Sequence, residues 1–193
     1  MRDEVLSCIR ERRSTRSFQP QQITDNELNT LLEAAMWAPS GGNSQTWSFI
    51  AIQNQERLSE LNELVRAGFQ VWVPDDDYAA KQNAKEKSAR EGYNFYYHAP
   101  TVIVAANRPN YANAMADCAC ALQNIFLAAQ ATGLGSCYIN QMRWLKDDKD
   151  IRSFLSKLGM PEDYLVFGAA AIGYVEKATP PQPRKEGTVH IIR

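Results

Sequence analysis

Apolar residues along the chain recur with two periods. Helical spacing of three and four links Val5, Leu6 and Ile9, then Leu28, Leu31, Leu32, Ala35 and Met36, then Leu58, Leu61, Leu64 and Val65. Each set marks one helix face and predicts helices over residues 3–12, from Thr24 to just before Pro39, and over 55–68. Thr24-Asp25-Asn26-Glu27 has the form of a capping box, Pro39 cannot continue a helix, and Gly68 is a natural stop. Mainly apolar runs at Trp47–Ile52, Thr101–Ala106 and Tyr164–Tyr174 read as buried strands. Residues 111–132 are rich in alanine and apolar almost all round, which predicts a central, buried helix. Gly133-Leu134-Gly135-Ser136 ends that helix and leads into a strand at Cys137-Tyr138-Ile139, and a short helix covers 147–157.

Two stretches break the pattern. Phe69 to Val73 is apolar and aromatic, Asp75-Asp76-Asp77 is a polar interruption, and Tyr78–Tyr97 reads as a helix rich in Lys and Glu. The three aspartates lack the alternating spacing of a calcium loop, so they read as a solvated loop or a helix N-terminus, and no metal site is expected. Phe69, Trp72, Tyr78 and Tyr93 suit either ordinary packing or the wall of a substrate pocket. The second stretch is the tail. Pro180-Pro181-Gln182-Pro183-Arg184-Lys185-Glu186 is polar and proline-rich, yet the chain closes on the strand-like Val189-His190-Ile191-Ile192. Such an arm is expected to dock on a sheet edge, in its own subunit or a partner's.

Composition narrows the class. In 193 residues, 45% are hydrophobic and 22% charged, as in a globular domain with a substantial core. The net charge of −1 gives no bulk electrostatic case for nucleic acid or an anionic membrane. No apolar run approaches a membrane span and the N-terminus enters an amphipathic helix directly, so a cytoplasmic location is expected. Cys8, Cys118, Cys120 and Cys137 form no metal-ligand or disulfide spacing, which fits a reducing compartment.

Two segments could carry chemistry. Arg12-Arg13-Ser14-Thr15-Arg16-Ser17-Phe18 follows the first helix and serves either as a solvated basic end or as an anion site, with guanidinium forks and hydroxyls around phosphate oxygens. Ala38-Pro39-Ser40-Gly41-Gly42-Asn43-Ser44-Gln45-Thr46-Trp47 serves either as a plain helix-to-strand turn or as a loop that brings bare backbone close to a polar, planar ligand. No Ser/His/Asp or Cys/His constellation is evident, which weakens a hydrolase reading.

Taken together in order, Arg12-Arg13-Ser14-x-Arg16-x-Phe18, Ala38-Pro39-Ser40-x-x-Asn43-x-Gln45-x-Trp47-x-Phe49, Gly133-Leu134-Gly135-Ser136 and a Pro-Arg-Lys arm resemble the nitroreductase family of FMN-dependent enzymes, over essentially the whole chain. The resemblance implies one α+β domain spanning 1–193, a three-layer α/β/α sandwich around a mostly antiparallel sheet. It also implies a homodimer in which residues 170–193 form the last strand and an arm exchanged with the partner. FMN would lie at the dimer interface. Arg12, Ser14 and Arg16 would approach its phosphate, ribityl chain and pyrimidine edge, with Arg13 beside them. Pro39, Ser40, Asn43 and Gln45 would reach it from the other subunit, Leu134, Gly135 and Ser136 would lie by the dimethylbenzene–N5 region, and Arg184 with Lys185 would close on the phosphate. The implied activity is ping-pong hydride transfer from NAD(P)H through flavin N5 to a nitroaromatic, quinone or related small acceptor. No side chain serves as catalytic acid or base, and Arg16 is the candidate for stabilising reduced flavin. A biosynthetic flavin dehydrogenase or a dehalogenase is the alternative, and a non-catalytic flavin-binding dimer the remaining one.

Overall fold

The computed structural model describes residues 2–74 and 78–193. Four strands form one antiparallel sheet: β1 (Ser48–Ile52), β2 (Thr101–Asn107), β3 (Leu134–Ile139) and β4 (Leu165–Tyr174), in the order β1-β2-β4-β3. Ile50 lies opposite Val104, Val104 opposite Ala169, and Ala169 opposite Ile139. Alternation along β2 divides the core in two. Val102, Val104 and Ala106 join Leu58, Leu61, Phe69 and Phe95 on one face, while Ile103 and Ala105 join Leu31, Leu122 and Ile125 on the other. The first face is covered by α3 (Gln55–Val71), α4 (Ala79–Ser88), α6 (Gln141–Trp144) and α7 (Lys149–Lys157). The second is covered by α2 (Asp25–Met36) and α5 (Ala114–Ala131), with α1 (Arg2–Glu11) lying along α5. The expected three-layer α+β architecture is present.

Local chemistry explains most boundaries. The capping box forms: Thr24 Oγ1 accepts from Glu27 N at 3.2 Å and Glu27 Oε2 accepts from Thr24 N at 2.7 Å. Gly133, at φ 79°, ends α5 in the left-handed region. Asp148 starts α7, its carboxylate accepting from the N–H groups of Asp150 and Ile151.

Several expectations change. Gly68 does not stop its helix, and α3 runs on to Val71; a Cβ at Gly68 would stand 3.0 Å from Asp148 Oδ2 and 3.2 Å from Leu145 Cδ1, so this glycine permits close packing instead. The expected helix over Tyr78–Tyr97 ends at Ser88. Beyond it, Gly92 takes φ 70°, and Asn94 Oδ1 accepts from the N–H groups of Tyr96 and His98, replacing helical bonds with a side-chain-built turn. Helix α5 begins at Ala114 rather than at residue 111, and β3 begins at Leu134, so Leu134, Gly135 and Ser136 are strand rather than turn. The single-turn α6 has too short a signature to read from sequence. Residues 175–193 contain no strand, and Val189, Ile191 and Ile192 are exposed. The Asp75–Asp77 reading lies outside the described residues. Among the described residues, no cluster of potential metal ligands occurs and no helix is long and apolar enough to cross a membrane. The four cysteines are free.

Candidate functional site

The basic segment after α1 is folded onto β3. Ser14 and Ser136 form an isolated parallel bridge, in which Thr15 N donates to Ser136 O at 2.9 Å. The approach is close because position 135 is glycine: a Cβ there would meet Thr15 Oγ1 at 2.8 Å. The start of the C-terminal segment completes the arrangement. Thr179 Oγ1 donates to Ser14 O, Ser17 Oγ donates to the Glu176 carboxylate at 2.7 Å, and Glu176 N donates to Ser17 O.

The three arginines differ in what they hold. Arg13 folds back on its own backbone, donating to Arg10 O at 2.6 Å and Arg12 O at 2.8 Å, which occupies it structurally. Arg12 and Arg16 have no carboxylate partner among the described residues. Both act on Cys137 in β3, whose thiol is pushed up by burial and pulled back by Arg16 and then Arg12. The Arg16 guanidinium lies 5.8 Å from the centroid of the Tyr97 ring. Two unneutralised cations with the Ser14 hydroxyl suit an anionic group such as a phosphate.

The loop after α2 is built as tightly as the strands. Gly41 N donates to both carboxylate oxygens of Asp117, at 3.2 and 3.3 Å, and Tyr111 Oη donates to Gly41 O at 2.9 Å. Ser44 Oγ donates to Tyr111 Oη, Ser40 Oγ accepts from Gln45 N, and Gln45 Nε2 donates to Asn43 Oδ1. Asn43 and Gln45 have φ of 54° and 47°, an uncommon conformation for residues other than glycine. With Pro39 they line a cleft of about 620 Å³ shared with Met36, Trp37 and Ala38.

The site residues expected from sequence therefore fall into two groups. Arg12, Ser14, Arg16, Leu134, Gly135 and Ser136 gather around the start of β3, with Leu134 and Ser136 buried. Pro39, Ser40, Asn43 and Gln45 gather at the loop, and among the described residues no hydrogen bond joins the two groups. Arg184 and Lys185 stand exposed in the C-terminal segment, joined to neither group by an ion pair. Of the aromatic candidates, Phe69 is fully buried, and Trp72 and Tyr93 pack against the same core, Trp72 also stacking on Trp144 at 6.5 Å. Burial drives the Tyr93 phenol well above its ordinary range; Gln141 opposes the shift without a hydrogen bond of good geometry. Tyr78 alone of the four is exposed.

Sequence reasoning missed Asp117, Tyr111 and Tyr97. Asp117 had a usable signal: it is the one charged residue in the alanine-rich α5.

A model of the nitroreductase family matches residues 9–174. Among solved structures, a nitroreductase with bound FMN from Bacteroides fragilis is 40% identical, with 98% of this chain and 99% of that one covered and a TM-score of 0.90. A nitroreductase with bound FMN from Desulfitobacterium hafniense is 27% identical, covers all of both chains and has a TM-score of 0.84. The FMN reductase (NADPH) of Bacillus subtilis is 28% identical, over 97% of this chain and 73% of its own length.

Proposed function

The chain belongs to the nitroreductase family, and we propose that it is an FMN-dependent oxidoreductase that takes electrons from NAD(P)H and delivers them to a small nitroaromatic, quinone or related acceptor. One observation carries the reading: Arg12 and Arg16 converge beside Ser14 and the start of β3 without a carboxylate among the described residues to neutralise them. That donor set fits FMN, whose phosphate is dianionic and whose pyrimidine edge accepts hydrogen bonds. The FMN bound in two similar structures and the name of the Bacillus subtilis relative support the same cofactor.

When bound, FMN supplies hydride chemistry at N5, and the chain supplies binding and electrostatics. Arg12 and Ser14 hold the phosphate and ribityl end. Arg16 keeps a positive charge at the pyrimidine edge, which favours the electron-rich state of the ring. Asn43 and Gln45 offer amide groups from a loop fixed by Asp117 and Tyr111, and Pro39 and Ser40 present little bulk to a planar ring. Arg184 and Lys185 close on the phosphate once the arm is docked. Tyr78, the most exposed of the four aromatic candidates, is the one offered for contact with an acceptor.

A second copy of the chain completes the site. The two groups of residues lie apart in one chain, and an apolar surface adjoins the loop. Trp37 is 80% exposed and shares the loop cleft with Met36. It also walls a groove of about 530 Å³ with Val5, Cys8 and Leu127. Val5, Leu6 and Ile9 are exposed along α1. Covering this surface with a partner removes apolar area from water and brings the partner's loop to the cation pair. The exposed Val189, Ile191 and Ile192 then have the partner as their docking surface.

Initial-rate kinetics test the reading. With NADPH or NADH varied against a quinone or nitroaromatic, donor and acceptor using one position in turn give parallel double-reciprocal lines. Intersecting lines would remove that order, and turnover no faster than free FMN would remove the enzymatic reading.

A further inference from the structure

Tyr97 is out of place by ordinary backbone rules. It sits at φ 57°, followed by His98 at φ 55°, so two consecutive residues with bulky side chains occupy the left-handed region. Each such residue costs on the order of 1 kcal/mol or more and persists where the surroundings over-determine it. Here they do. Buried Asn62 on α3 donates through Nδ2 to Tyr93 O at 3.0 Å and accepts at Oδ1 from Phe95 N at 3.0 Å. Asn94 Oδ1 fixes the next turn through Tyr96 N and His98 N. Phe95 and Tyr96 are buried in the core, and Ala99-Pro100 leads into β2. What this braced turn presents is the half-buried Tyr97 ring, against the guanidinium of Arg16.

We propose that Tyr97 is a positioning residue: its ring holds the Arg16 guanidinium at the flavin edge, in place of the carboxylate that would otherwise orient such a cation. The inference rests on the functional reading above for its consequence, though the contact itself does not. A carboxylate partner would fix Arg16 but cancel its charge. An aromatic face fixes it and leaves the charge available. At 5.8 Å from the ring centroid, the guanidinium lies within cation–π distance of that face.

Three variants separate this from simple packing. Glycine is the residue that the left-handed backbone favours, so Tyr97→Gly removes the ring while relieving backbone strain. Tyr97→Phe keeps the aromatic face, and Arg16→Ala removes its target. In the FMN-loaded protein, Tyr97→Gly is expected to reduce the preference for reduced over oxidised FMN roughly three- to tenfold, a fall of about 15–30 mV for a two-electron couple. Tyr97→Phe is expected to restore most of it, and Tyr97→Gly in the Arg16→Ala background to add nothing. Equal potentials for wild type and Tyr97→Gly, or the same fall with and without Arg16, would overturn the proposal. A readout free of flavin keeps the two claims distinct. Nitrogen-15 relaxation of the Arg16 Nε–H is expected to show an ordered side chain in the wild type and a mobile one in Tyr97→Gly. An Arg16 as mobile in the wild type as in Tyr97→Gly would refute the positioning role even if FMN binds. An ordered Arg16 in a protein that binds no FMN would instead uphold the contact and refute the functional reading.

Discussion

The backbone N–H of Gly41 donates to the buried carboxylate of Asp117, 76 residues away in sequence, and this pair fixes the loop that carries Pro39, Ser40, Asn43 and Gln45. A Cβ at residue 41 would run into the side-chain ends of Asn113 and Tyr111, so Tyr111, whose hydroxyl donates to Gly41 O, or Asn113 would have to move. Gly41→Ala should therefore displace the loop and weaken FMN binding by about tenfold or more. Asp117→Ala leaves the Gly41 N–H without its acceptor, at a cost of about 1–3 kcal/mol, and should do both: lower stability and loosen FMN. Urea unfolding and FMN titration of the two variants check this, and unchanged FMN affinity in both would detach the loop from the site.

Among the described residues Arg12 has no carboxylate partner to lose, so its removal should act on the ligand and spare the fold. Arg12→Ala is expected to weaken FMN by about 1.5–3 kcal/mol, tenfold or more, with the apoprotein melting temperature nearly unchanged. Fluorescence titration of FMN gives the first quantity and calorimetry the second. Arg13→Ala, whose guanidinium already caps its own helix end, should show the smaller change in affinity.

The aromatic candidates should divide by burial. Phe69→Ala empties a fully buried site in the core and should cost about 3–5 kcal/mol of stability. Tyr78→Ala, at an exposed position, should cost about 0.5 kcal/mol or less and show any effect in KM for the acceptor. Thermal unfolding and acceptor kinetics on the same two variants distinguish the roles.

Glu27 gives the fold an acid-sensitive point at the start of α2. Its carboxyl is held below the usual range by the backbone N–H of Thr24, then by the Thr24 hydroxyl and the Tyr174 hydroxyl. A folded-state value below the unfolded one means stability that is present above the unfolded pKa and lost as pH falls through the folded one. Glu27→Gln has no carboxyl to titrate. The melting temperature of the wild type should fall more steeply than that of the variant between about pH 5 and pH 2. Parallel pH profiles would show that the carboxylate contributes nothing there.

Period and punctuation made much of this fold legible. The capping box of α2, the glycine end of α5 and the buried runs of β1, β2 and β4 each state their structure in a few adjacent residues. What escaped was decided at a distance. Gly68 looked like a helix stop because its reason, the approach of Leu145 and Asp148, lies far along the chain. The helix expected through Tyr97 stopped early because Asn62 and Asn94 offered the backbone other partners. In the site, the arginine cluster and the small-residue loop could be read as segments, yet nothing in their sequence separates Arg13, spent on its own carbonyls, from Arg12 and Arg16. Nor does a local pattern reveal that Asp117 and Tyr111 hold the loop, although a lone aspartate in an apolar helix was the available sign.

The most direct measurement is the visible spectrum of the purified protein under anaerobic conditions, before and after NADPH or NADH. FMN-dependent electron transfer from NAD(P)H predicts flavin absorption bands that co-purify or return on adding FMN, and that bleach on adding one of the two nucleotides. A protein that retains no FMN when it is supplied, or whose bound FMN neither nucleotide bleaches, would contradict it.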